Sequence, residues 1–86
     1  MSDPHVHASH PALIVRLKRA DGHLRSVIEM LETGKPCLDI AQQLQAVEKA
    51  VTNAKRALIH EHVDHCLDAE GSDTDRAELK AISRYL

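Results

Sequence analysis

His62 and Cys66 stand four residues apart in the run HVDHC, and Cys37 stands far upstream of them in GKPCLDI. Imidazole and thiolate are the side-chain groups that soft and borderline metal ions prefer. On a helix an i,i+4 pair shares one face, so His62 and Cys66 can chelate a single ion. Cys37 follows Pro36, a residue suited to a helix start because its missing N–H would be unpaired there anyway. The free N–H groups and dipole of that first turn favour a negatively charged group, and thiolate is the form that binds metal or attacks an electrophile. A plain alternative stays open at each position: cysteine is often a core residue, and i,i+4 pairs of this kind arise by chance.

Six more histidines complete the set of seven. His5, His7 and His10 lie in MSDPHVHASHP, a segment with Pro4 and Pro11 and no sustained apolar period, which reads as a mobile arm over residues 1–11 whose imidazoles can reach elsewhere. His60 and His65 flank the chelating pair and read as solvated or supporting groups able to substitute in a ligand set. His23, set among basic residues, reads as a surface side chain. Two cysteines make no disulfide framework, and a reducing compartment leaves both as thiols. The N-terminus has neither a basic region nor an apolar run, and no stretch approaches the roughly 18 apolar residues of a membrane span, so a cytoplasmic location is expected.

The elements that must position these groups are helices. Leu13, Leu17, Ala20, Leu24, Val27 and Leu31 recur at steps of four and three, with Ile14 and Ile28 widening the stripe. Gly22 interrupts it and marks either a close helix crossing or simple tolerance. Thr33-Gly34 ends this helix. From Pro36 to about Leu67 a second stripe runs through Ile40, Leu44, Val47, Val51, Ala54 and Leu58 without a glycine or proline. Gly71-Ser72 breaks it, and Ser72 with Asp75 resembles a capping box for a short third helix through Leu79, Ile82 and Leu86. The expected fold is all-α, with two long antiparallel helices and a short third forming one domain over residues 12–86.

That domain is undersized. Of 86 residues, 43% are apolar and 28% charged, and Tyr85, read as a packing residue of the last helix, is the one aromatic. A chain of this length buries about 60 to 65% of its extended surface, and small folds recover the shortfall with disulfides, metals or self-association. Cys37 and His62 are 25 residues apart on the second helix, which is about 37 Å, too far to share an ion within one chain. Antiparallel pairing of two copies brings Cys37 of one beside His62 and Cys66 of the other and also covers the long stripe. Two thiolates with one imidazole suit three-coordinate Cu(I), while a histidine from the arm makes an S2N2 set suited to Ni(II) or Zn(II).

Net charge is −2, yet residues 12–56 carry eight Lys or Arg against five Asp or Glu, and residues 57–86 carry three against seven. Arg16, Lys18, Arg19 and Arg25 on the first helix, with Lys49, Lys55 and Arg56 on the second, form the basic part. A solvated face explains them within one chain, since no helix-turn-helix, zinc finger or aromatic platform is present; symmetric assembly repeats the patch across a surface suited to phosphates. Hydrolysis at a zinc held by His62 and Cys66 is disfavoured by the lack of a general-base motif and of pocket-building capacity, so no enzyme is expected.

The run RLKRADGHLRSVIEMLETGKPCLDIAQQLQAVEKAV followed by HVDHC closely resembles the CsoR/RcnR family of bacterial repressors over roughly Pro11 to Cys66. The resemblance implies an all-helical dimer of dimers that binds operator DNA through a basic surface and releases it when an effector occupies an intersubunit site. It implies that Cys37, His62 and Cys66 match the copper sensor's ligand set and that Arg16 and Arg19 match the basic motif used for DNA, with Lys18, Lys49 and Arg56 extending that surface. His5 lies at the spacing where the nickel and cobalt sensors place a fourth ligand. Pro36 and Ile82 stand where the copper branch commonly has a tyrosine and a glutamate, and the loss of such supporting groups weakens a site. The reading therefore favours Ni(II), with Co(II) or Zn(II) as further effectors, over the alternative of Cu(I). The formaldehyde branch pairs the same cysteine with an N-terminal proline amine, whereas here Ser2 follows Met1 and Pro4 is internal. A persulfide-responsive branch needs two cysteines, which Cys37 and Cys66 supply. The implied target is a metal efflux or resistance gene.

Overall fold

A computed structural model describes residues 10–68 and 73–86, with the side chains of residues 65–75 outside that description. Three helices and a short 3-10 turn follow one another: α1 (His10–Glu32), α2 (Cys37–Asp68), α3 (Asp73–Ile82) and the turn Ser83–Tyr85. No strand occurs among the described residues. The helix takes in His10 and Pro11, two residues that composition groups with the arm, and Pro11 is tolerated because the first turn has no use for its missing N–H. The Ser72 cap lies outside the described residues.

α1 ends in a Schellman motif. Lys35 N–H donates to the Met30 carbonyl at 2.9 Å and Gly34 N–H to the Leu31 carbonyl at 3.3 Å. Gly34 adopts φ +71°, the left-handed conformation that this closure requires. α2 then starts at once, with Ile40 N–H donating to the Pro36 carbonyl at 3.1 Å. The tight reversal makes α1 and α2 antiparallel. Met30, near the end of α1, packs on the cluster Val27, Ile40 and Val47, while Leu13 near the start of α1 shares a groove with Ala54 and Leu58.

The apolar stripes divide into two sets of sevens. Leu13, Ala20 and Val27 on α1 and Ile40, Val47 and Ala54 on α2 are buried between the helices. The intervening residues are not: Leu17 is 47% exposed, Leu24 41%, Leu44 44%, Val51 47% and Leu58 44%. A helix touching one partner buries one line of its stripe, and the second line waits for another surface. The chain measures 54 × 29 × 15 Å, and its thinnest dimension is little more than the roughly 10–12 Å of one helix with side chains. It is a single layer, where a stable core normally lies between two.

One sequence expectation needs correction: Tyr85 is 67% exposed and belongs to the 3-10 turn, so it does not pack the third helix. Of the two readings of Gly22, simple tolerance fits the chain, since a Cβ placed there meets nothing within 4 Å. His23 lies half-buried near the surface, in an exposed pair with Gln43 of α2.

Candidate metal site and nucleic-acid surface

Cys37 is the first residue of α2 and is exposed. His62, about seven turns further along the same helix, is buried at 7% exposure. Cys66 belongs to α2 one turn beyond His62, and its side chain, like that of His65, is outside the described residues. His5 and His7 also lie outside them, while His10 opens α1 and lines the apolar groove formed with Leu13, Ile14, Leu17, Val51 and Leu58. Among the described residues no three His, Cys, Asp or Glu side chains converge on one point within a chain.

Register connects the separated donors. Cys37, Leu44, Val51 and Leu58 follow one another at seven residues, and His62 and Cys66 continue at four. These spacings keep all six positions on one side of α2. The half-exposed Leu44, Val51 and Leu58 thus lie between Cys37 and the buried His62 on the same side of α2, with position 66 next in register. Val51 sits at the centre of the three.

The basic residues do not share a single patch within the chain. Arg16 and Arg19 meet His23, Ala20, Ala50 and Asn53 around a cavity of about 450 Å³ between α1 and α2. Arg16 also lines a neighbouring cavity of about 300 Å³ with His60, Glu61 and Asp64. Lys18, Lys49 and Arg56 are exposed and lie elsewhere. Lys49 and Arg56 each come two residues after a buried position of α2, Val47 and Ala54, and so point about 200° away from α1. Arg25 is held by Asp21 at 3.2 Å in an exposed i,i+4 pair. The sequence reading missed His23 and Asn53; His23 follows Arg16 and Arg19 at seven and four residues, a spacing that places the three on one face of α1.

A family pattern described as "metal-sensitive transcriptional repressor" matches residues 9–86. The chain belongs to that family, the CsoR/RcnR repressors. These are repressors and not enzymes. The chain is 41% identical over 58 residues to a copper-sensing transcriptional repressor CsoR of Mycobacterium ulcerans, covering 67% of this chain and 50% of that protein. It is 36% identical over 80 residues to the copper-sensing CsoR of Mycobacterium tuberculosis, covering 87% of this chain and 67% of that protein. It is 33% identical over 72 residues to the copper-sensing repressor RicR of the same species, covering 77% and 75%. The chain thus spans between half and three quarters of the length of these relatives. No solved structure matches it significantly. Among the described residues no helix is long and apolar enough to cross a membrane.

Proposed function

We propose that this chain is a Cu(I)-responsive repressor that binds operator DNA in its metal-free form and releases it when the ion is held between two copies by Cys37 of one and His62 and Cys66 of the other. The observation that carries the reading is the α2 face on which Cys37 and the His62/Cys66 pair bracket the half-exposed Leu44, Val51 and Leu58. Antiparallel pairing about a two-fold axis near Val51 buries that line and brings the separated donors together twice. The single-layer shape of the protomer supports such pairing, and the family resemblance supports a tetramer built from two such pairs.

The donor set fits the ion. Two thiolates and an imidazole match the soft-ligand preference of Cu(I), and burial of His62 in α2 provides a nitrogen donor shielded from water. The copper-sensing names of the relatives favour Cu(I) over Ni(II), and the Ni(II) reading leans on His5, outside the described residues. The protein acts in the cytoplasm on double-stranded DNA. Release requires that the ion bind the DNA-free arrangement more tightly than the DNA-bound one, because only a differential affinity shifts the equilibrium.

The test is a titration of the operator-bound protein with Cu(I), Ni(II), Co(II), Zn(II) and formaldehyde, using the wild type, Cys37→Ala, His62→Ala and His5→Ala. Cu(I) should release the wild type and leave Cys37→Ala and His62→Ala on DNA. Release by Ni(II) that disappears in His5→Ala would reinstate nickel, and release of Cys37→Ala by Cu(I) would remove the site.

A further inference from the structure

The cavity between the long helices has a composition that the metal site does not use. Arg16, Arg19 and His23 reach it from α1, and Asn53 reaches it from α2. Ala20 and Ala50 are its remaining walls, and their small side chains leave the space of about 450 Å³ open. Among the described residues no carboxylate lines it, while the adjoining cavity, which shares Arg16, contains Glu61 and Asp64. Two guanidinium groups in a wall without carboxylates attract an oxyanion, and their planar forks match its oxygen geometry.

His23 is built into this wall. Its Nε2 lies 2.6 Å from Gln43 Oε1, so the ring donates to an acceptor on the opposite helix. The bond ties α1 to α2 at the cavity and fixes the imidazole plane. Asn53 adds an amide that can donate to an oxygen without adding charge.

We infer that Arg16, Arg19 and Asn53 form a seat for one backbone phosphate of double-stranded DNA, and that His23, positioned through Nε2 by Gln43, adds its Nδ1–H to that seat as an imidazolium. The inference rests on the repressor reading and deepens it, assigning DNA contact to His23 and Asn53 and a supporting role to Gln43. A DNA phosphate is favoured over a free anion because both arginines and Asn53 are exposed, which lets a macromolecular backbone enter from outside. A seat spanning two helices also senses their relative placement, since any slip of α2 along α1 moves Asn53 away from the arginines.

The experiment uses the 86-residue chain with histidine side chains labelled for NMR, titrated with an operator duplex and separately with inorganic phosphate, alongside duplex affinities of His23→Ala, Gln43→Ala, Asn53→Asp and Lys80→Ala. The duplex should shift the His23 ring signals, and His23→Ala and Asn53→Asp should each weaken duplex binding by about 10-fold. Gln43→Ala, which keeps the ring but frees it, should weaken binding less than His23→Ala. Lys80→Ala, an exposed substitution on α3, should leave the His23 response intact. Wild-type protein that binds duplex and is released by Cu(I), with His23→Ala and Asn53→Asp binding equally well, would overturn the seat and leave the repressor reading standing. His23 signals that respond to inorganic phosphate but not to duplex would make the cavity a free-anion site and overturn the DNA assignment. A wild type that binds no duplex would instead sink the repressor reading, and the seat with it.

Discussion

Cys37 and His62 stand at the two ends of one face of α2, and Leu44, Val51 and Leu58 lie between them. The separation is about 37 Å along the helix, so the two side chains cannot meet on one ion within a single chain.

Complementation follows directly. Cys37→Ala and His62→Ala should each abolish tight Cu(I) binding when expressed alone. Mixed dimers carrying one copy of each variant should regain one of the two sites, because one intersubunit junction then keeps an intact Cys37 opposite an intact His62. Cu(I) stoichiometry of the purified mixed dimer measures this, and a value of zero would show that the donors are not shared across chains.

Val51 lies at the midpoint of the exposed line, so a two-fold axis there sets each copy of Val51 near the other. Val51→Glu should place two carboxylates against each other in an apolar seam, where neither is paired. Because Val51 is 47% exposed in the single chain, the substitution spares the packing of α1 on α2. Sedimentation should find a mass near the 9.5 kDa of one chain. Retention of the wild-type mass would place the interface elsewhere.

Gly34 tests the α1–α2 reversal. Its φ is +71°, and a Cβ there meets nothing within 4 Å. Gly34→Ala should therefore destabilise the chain through backbone conformation alone, by about 1 kcal/mol, as read by urea denaturation. Gly34→Asn should cost less, since asparagine tolerates the left-handed region better. Equal stability of all three would contradict the Schellman closure.

Arg16 faces the phosphate seat on one side and a cavity with Glu61 and Asp64 on the other. Removing a negative charge beside it should strengthen its attraction for phosphate. Asp64→Asn should tighten operator binding by a few-fold at low salt, with the difference shrinking as salt screens the exposed charges. A weaker complex at low salt would mean that Asp64 helps to place Arg16 for DNA rather than competing for it.

The two long helices and their reversal were legible in the sequence because each rests on local rules. Apolar residues at steps of three and four dictate a helix, Gly34 and Pro36 dictate its end and the next start, and HVDHC puts an imidazole and a thiol one turn apart in the sequence register. Register also gave the distance that forbids a site within one chain. Which half of each stripe is buried was not legible: Leu13 and Leu17 look alike in sequence, and only the rotation of α1 against α2 sends the first inward and leaves the second exposed. His23 and Asn53 lie 30 residues apart, and nothing local says that an antiparallel partner helix will carry them to the same cavity as Arg16 and Arg19. Helix formation depends on neighbours three and four residues away and is written in the chain. The meeting of side chains on two helices depends on how those helices roll and slide against each other, and packing alone decides that.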